Sequence, residues 1–405
     1  MLVPVEAKGT TCMPSINPQM NPLVRDTGSP PIPEAQGWTR SYNGALGPLI
    51  DLSQAVPGYP PHPDMLRHLS EAAGTVAAAR YGDILGDQPL RDAYSAEIVR
   101  RYGGDVSSND VAITAGCNQA FVVTMMTIAR QGDSVIVPSP WYFNHDMTLG
   151  MLGIKAEPLP CQAANGFVPS CAEAEKLITP STRAIVLVTP NNPTGAVYPA
   201  ETIAEFAALC RKRGLWLVVD ETYRDFLAPD HGAPHRLFSA PDWRDNILQL
   251  YSFSKSYCIP GHRTGAITGG PAILDEIAKV LDCVQICAPR ATQKALTWAI
   301  PSLDDWRAAN TAEILRRVTA FKNAFALLPE WRIDSIGAYF AYVAHPFAGI
   351  PVQRVAERLA SERGVLGLPG PYFGAGQEQH MRLAFANVTV ESLGALPERL
   401  KNFNP

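Results

Sequence analysis

The chain has 405 residues, 46% of them hydrophobic and 18% charged, with a formal net charge of −4. That length allows a large core and more than one domain, while the interspersed charges give no basic field for nucleic acid and no polybasic stretch for a membrane. No apolar run is long enough to span a bilayer, and residues 1–22 lack the cationic and apolar segments of a signal peptide. Eight cysteines are scattered along the chain. Cys283 and Cys287 are not joined by a second pair or a His pair, so no metal site is expected, and reduced thiols in a cytoplasmic protein are the simplest reading.

Residues 1–45 are rich in Pro, Gly and Ser and are predicted to form an extended arm lying on another surface, such as a partner subunit. From Pro63 the pattern alternates between helix and strand. Helices are predicted over 64–80 and 90–102, the second stopped by Gly103-Gly104, and a short strand over 111–114. A helix over 119–129 and a strand over 134–137 follow. Three continuously apolar strands, 184–189, 215–220 and 247–252, come next, with a helix over 201–213 between the first two. Short apolar strands separated by amphipathic helices imply an α/β fold whose mostly parallel sheet is covered on both faces. Helices dominate 302–328. Residues 331–345 alternate like an exposed antiparallel hairpin, 352–364 read as a helix and 381–387 as a last strand. This organisation divides the chain into 1–62, an arm with part of a small domain; 63–300, a large domain; and 301–405, a small α+β domain.

Ligands bind outside the carboxyl ends of the strands in open parallel sheets, and three such ends carry polar residues. The first is followed by Thr189-Pro190-Asn191-Asn192-Pro193-Thr194-Gly195. The second ends in Asp220-Glu221-Thr222-Tyr223, and the third runs into Ser252-Phe253-Ser254-Lys255. An amide, a carboxylate, a phenol, hydroxyls and an ammonium converge on one sheet edge, where a buried Lys255 can lose its charge and attack a carbonyl. Taken singly, each has an ordinary reading. Asn-Pro-Thr-Gly is a turn former, Asp220 can cap a helix, and Lys255 and Arg263 can be solvated surface cations.

Taken together, Ser252-Phe253-Ser254-Lys255 with Gly261-His262-Arg263-Thr264-Gly265, preceded by Asn192-Pro193-Thr194-Gly195 and Asp220-x-x-Tyr223, resembles the class I/II aminotransferases, the fold type I pyridoxal-phosphate enzymes. The resemblance runs from about Leu52 to Asn387. It implies the fold type I architecture with pyridoxal 5′-phosphate as cofactor. Lys255 would be the Schiff-base lysine and proton shuttle, and Asp220 the partner of the pyridine nitrogen. Tyr223 and Asn192 would bond the ring oxygen, and Ser252 and Arg263 the phosphate. The strand-to-helix segment Ala115-Gly116-Cys117 would offer its amides to the same phosphate. Tyr142, in Pro138-Ser139-Pro140-Trp141-Tyr142, would stack on the cofactor, with Trp141 as the fallback. Tyr81 would reach the phosphate of a neighbouring subunit, which makes the active unit a homodimer with shared sites. Arg382, in Met381-Arg382-Leu383-Ala384-Phe385, would grip the substrate carboxylate. Plain readings remain beside these: a strand-to-helix turn for 114–120, an aromatic core pair for Trp141-Tyr142, a surface arginine for Arg382.

Two positions depart from the family pattern. Ala55, within Leu52-Ser53-Gln54-Ala55, stands where relatives carry a glycine over the substrate, and its methyl would narrow the site. No clean match exists for the second arginine of the dicarboxylate-specific members. Arg290 follows Pro289 instead, and reads either as an interface or surface ion-pairing residue or as one reaching a neighbour's site. The expected function is therefore transfer of an amino group between a neutral or aromatic L-amino acid and a 2-oxo acid by a ping-pong mechanism. Other reactions on the same cofactor (β-elimination, aminocyclopropane formation, cyclisation) share these motifs. A non-enzymatic sensor would need a basic N-terminal DNA-binding domain that the Pro/Gly-rich start does not offer. A nicotinamide enzyme is disfavoured, because no Gly-x-Gly-x-x-Gly follows an early strand.

Overall fold

A computed structural model describes residues 18–405; the first part of the expected arm, 1–17, lies outside the described residues. Thirteen strands are present among those described: β1 (Ile50–Asp51), β2 (Val111–Thr114), β3 (Ser134–Ser139), β4 (Lys155–Pro160), β5 (Thr182–Val188), β6 (Trp216–Asp220), β7 (Ile247–Ser252), β8 (Gly265–Thr268), β9 (Arg332–Gly337), β10 (Phe340–Ala344), β11 (Val365–Leu366), β12 (Leu368–Pro369) and β13 (His380–Ala384). Seven of them form one sheet in the order β2-β8-β7-β6-β5-β3-β4. Pairing is parallel from β7 through β4, and only β8 runs antiparallel to its neighbours β7 and β2. The fold is thus α/β with a mostly parallel central sheet.

The apolar runs explain this sheet. Leu217, Val218 and Val219 of β6 are fully buried, with Leu217 and Val219 facing one core cluster and Val218 another. Each such side chain contributes roughly 1.5–3 kcal/mol by leaving water, so a charge at any of them would break the layer. Register then aligns the strand ends. Val188 pairs with Asp220, and Asp220 with Leu250. Ser252 pairs with Gly265, which also pairs with Thr114. The polar segments after β2, β5, β6 and β7 therefore open side by side.

A second layer is built on the antiparallel sheet β12-β13-β10-β9. Helix Asp304–Phe325 supplies Ile314, Phe321 and Phe325 to its core. β1 pairs in parallel with β11, so the segment after the arm belongs to this layer. The 331–345 region is an antiparallel hairpin, but it is not exposed: every residue of β10 is buried. β10 lies between β9 and β13, and its Phe340 and Tyr342 meet Tyr223 and Phe167 of the larger layer edge-on. At the same seam Gly195, at φ +74°, touches the backbone of Gly337, and a Cβ on either would collide with the other.

The described part of the arm is not extended but contains two helices packed on its own chain. Helix Pro22–Arg25 lies against helix Phe143–Met151, and helix Pro31–Trp38 against β12 and helix Val352–Arg358 of the same chain. Among the described residues no helix is long and apolar enough to cross a membrane, and no His/Cys/Asp/Glu group is arranged to hold a metal ion.

Candidate active site

The aligned strand ends surround one cavity. Cys117, Tyr142, Asn192, Asp220, Tyr223, Ser252, Lys255 and Arg263 all line it, together with Asn118, Thr222 and Ser254. Lys255 sits in the one-turn helix Phe253–Ser256, capped by the Ser252 hydroxyl, which accepts from the Ser254 amide at 3.3 Å. Its Nζ donates to the Ala55 carbonyl oxygen at 2.6 Å. Burial, and then the nearby Arg263 and Arg382 charges, bring the ammonium down to about 8. About a tenth of this amine is uncharged at pH 7, far more than for an ordinary lysine, and that fraction is competent as nucleophile or base.

Asp220 forms the opposite wall. Burial pushes its carboxyl up, but His145 and Thr222 outweigh burial and hold it below its ordinary value. His145 Nε2 lies 3.3 Å from Oδ2. The Thr222 amide and hydroxyl donate to Oδ1 at 3.0 and 2.7 Å. The carboxylate is therefore anionic, buried, and without an Arg or Lys partner among the described residues. Such a group is suited to a protonated heteroaromatic nitrogen. Tyr223 is buried beside it, and burial followed by the neighbouring Tyr142 raises its phenol well above the usual range, so it stays a neutral donor.

The third wall holds hydrogen-bond donors. Helix Cys117–Ile128 begins at Cys117 with Gly116 as its N-cap. Gly116, at φ +92°, lies so close to the Arg263 guanidinium that any side chain there would collide with it. Arg263 Nη1 donates to the Pro260 carbonyl at 3.0 Å, and the Ser254 hydroxyl is buried with no partner among the described residues. A guanidinium, two hydroxyls and a helix N-terminus make an anion seat. The Ala115 amide is not part of it, because it donates to Gln119 Oε1 at 2.6 Å.

Arg382 is buried above the cavity. One Nη donates to Asn192 Oδ1 at 3.0 Å, the other to the Ser53 carbonyl, and Nε has no partner among the described residues. Its guanidinium lies over the rings of Phe340 and Phe373, with centroids at 5.3 and 5.0 Å, and burial lowers it to about 10. A buried cation with an unused donor and no carboxylate partner among the described residues can take a carboxylate from a ligand.

Three expected positions stand apart. Tyr81 is 77% exposed and lines no wall of this cavity. Ala55 contributes its carbonyl to Lys255. Arg290 is tied to Asp87, with Nε at 3.1 Å, and to the Ala77 carbonyl at 2.6 Å within its own chain. His145, Asn118, Thr222 and Ser254 belong to the site although sequence reasoning did not single them out. Ser254 lies inside the quoted lysine motif, whereas His145 and Asn118 carry no motif of their own.

The donor set fits pyridoxal phosphate: an anion seat, a buried carboxylate for a ring nitrogen, and a depressed lysine between them. Comparison with known proteins points the same way. The family model for aminotransferase class I and II matches residues 48–400. The chain is 31% identical over 324 residues to an arginine–pyruvate transaminase of Pseudomonas aeruginosa, covering 79% of each sequence. It is 32% identical over 362 residues to an aspartate/prephenate aminotransferase of Thermus thermophilus, covering 86% of this chain and 90% of the relative. The solved structure of a single mutant of the Thermus thermophilus aspartate aminotransferase superposes with a TM-score of 0.85 at 26% identity, over 95% of this chain and 99% of that one.

Proposed function

The chain belongs to the class I and II aminotransferases, a pyridoxal-phosphate-dependent family, and on that premise we propose that this enzyme carries its cofactor on Lys255 and acts on neutral or aromatic L-amino acids. It is a transaminase of fold type I, exchanging an amino group between amino and 2-oxo acids. What supports the site assignment is the shared cavity of Lys255, Asp220, Tyr223, Asn192 and Arg263.

Pyridoxal phosphate, when bound, supplies an electron-withdrawing ring that stabilises the charge left at the substrate α-carbon when its proton departs. The residues do the rest. Asp220, kept anionic by His145 and Thr222, holds the ring nitrogen protonated. Tyr223 and Asn192 bond the ring oxygen. Ser252, Ser254, Arg263 and the Gly116-Cys117 amides seat the phosphate, with Tyr142 against the ring. Lys255 Nζ is placed to accept the substrate α-proton and hold it for return, and the Ala55 carbonyl would orient the amine. Arg382 grips the substrate carboxylate and Asn192 orients Arg382. Donor and acceptor use this one site in turn, so ping-pong kinetics follow.

The substrate class follows from charge. Arg290 is engaged by Asp87, and among the described residues Arg263 is the only arginine lining the cavity, which leaves no second arginine there for a substrate side-chain carboxylate. We further propose a cytoplasmic homodimer. Arg263 is solvent-facing, so the phosphate end of the cavity opens to the surface of the chain, where a second copy would add Tyr81. The seven cysteines among the described residues are free, in keeping with a reducing compartment. Residues 63–300 are taken as the cofactor domain and 301–405, with the 1–62 segment, as the small one. Spectral titration of cofactor-loaded protein with a panel of amino donors tests the substrate reading. Glutamate and aspartate outcompeting phenylalanine, leucine and alanine would overturn it.

A further inference from the structure

Beyond the Lys255 cavity, the chain contains a second cavity of about 490 Å³. It lies outside the carboxyl ends of β3 and β4, between their Ser139 and Pro160 on one side and the segment entering β13 on the other. Trp141 and Tyr142 are consecutive, yet Tyr142 lines the Lys255 cavity and Trp141 lines this one. The two spaces share no lining residue.

We propose that this cavity is a binding site for a small, uncharged, flat heteroaromatic compound that carries a hydrogen-bond acceptor on its edge. Charge sets the first requirement. The lining includes no Asp, Glu, Lys or Arg, and His380 is already engaged through Nε2 with Asp334 at 2.8 Å. An ionic ligand would lose its hydration without compensation. Shape sets the second. Gly374 packs beside the Trp141 indole, a Cβ there lying 3.5 Å from the ring. Trp141 meets no other aromatic ring among the described residues, unlike Phe167, which sits edge-on to Tyr342 and His380. The indole is therefore a stacking surface without a stacking partner.

Hydrogen bonding sets the third requirement. Gln377 is 8% exposed and lines the cavity. Its Oε1 accepts from the Tyr342 hydroxyl at 2.9 Å, and its Nε2 donates to none of the described residues. This amide can donate to an acceptor carried by an occupant of the cavity. An occupant also touches both layers of the fold, since Trp141 follows β3 while Gln377 and His380 lead into Arg382. The Trp141 amide already donates to the Phe373 carbonyl at 2.9 Å across this seam.

Calorimetric titration of the cofactor-loaded enzyme with adenine and with indole tests this site. Adenine offers edge acceptors and indole does not. Adenine is expected to bind once per chain, about fivefold tighter than indole. Gln377→Ala should abolish that preference, and Ala163→Trp, which fills the cavity, should weaken adenine about tenfold or more. Retention of the visible cofactor absorbance certifies that each variant is folded. Absence of adenine binding to the parent enzyme overturns the proposal. So does equal affinity for the two probes, or undiminished adenine binding by Ala163→Trp. None of these outcomes touches the chemistry at Lys255, which the absorbance reports separately.

Discussion

His145 Nε2 lies 3.3 Å from Asp220 Oδ2, with both side chains buried and the imidazole stacked on Phe121 at 3.9 Å between ring centroids. This pair, joined by the two bonds from Thr222, keeps a carboxylate charged in a place where burial alone would protonate it.

Removing His145 should therefore weaken the anion without emptying the site. For His145→Phe, which preserves the stack, turnover is expected to fall about tenfold or more, the scale of one hydrogen bond to a charged group. The Asp220 carboxyl then titrates higher, so the acid limb of the rate profile should move to higher pH. A kcat and acid limb identical to the parent would show that the pair does not act on the reaction.

Lys255 gives a second pH dependence, on cofactor uptake. Burial and two neighbouring arginines bring its amine down to about 8. Only the unprotonated amine attacks an aldehyde. The rate at which cofactor-free protein takes up pyridoxal phosphate should rise with pH, reach half its maximum near pH 8 and level off about one unit above. A rate that keeps rising to pH 10 would mean that Lys255 titrates like an ordinary lysine.

Arg382 should decide carboxylate binding. Arg382→Lys keeps a charge but loses the fork, and should raise the apparent dissociation constant of amino donors about tenfold or more. Affinity for an amine lacking the carboxylate should change far less. Equal losses for both would reassign Arg382 to maintaining the Asn192 and Ser53 contacts alone.

Asp225 tests the scaffold beneath the site. Burial raises its carboxyl, but Arg101, Arg307, Arg224 and the Tyr251 hydroxyl bring it down to about 2, with Arg101 at 2.8 Å and Arg307 at 3.3 Å. A carboxyl whose folded value is depressed stabilises the fold above its unfolded value, and that stabilisation is lost as pH falls through the folded value. Asp225→Asn should cost roughly 3–5 kcal/mol at pH 7 by leaving buried arginines uncompensated. The gap from the parent should narrow by about 1.4 kcal/mol per pH unit between about pH 4 and the folded value. A gap that is constant with pH would assign the loss to packing.

The chemistry-bearing residues of this protein were legible where they stood at strand ends. Asp220 and Lys255 close apolar runs, and a parallel sheet aligns such ends by itself. Residues that join the site through tertiary packing left no such trace. His145 reaches Asp220 from helix Phe143–Met151, which follows β3, through tertiary packing alone, and nothing in its local pattern distinguishes it from a core histidine. Arg290 reads in the sequence either as an ion-pairing residue or as one reaching a neighbour's site, and only the fold identifies Asp87 as its partner. Residues 331–345 alternate as an exposed hairpin would, but β10 is buried against the larger layer while β9 stays partly exposed, which no local period encodes. Ala115 was expected among the phosphate donors by its motif, and the Gln119 side chain takes its amide instead.

Reduction of the cofactor-loaded protein with borohydride, followed by peptide mapping, tests the assignment of Lys255 most directly. The cofactor should be found fixed to the peptide containing Lys255, and Lys255→Ala should yield no labelled peptide. A label on another lysine, or an unlabelled parent protein, would contradict it.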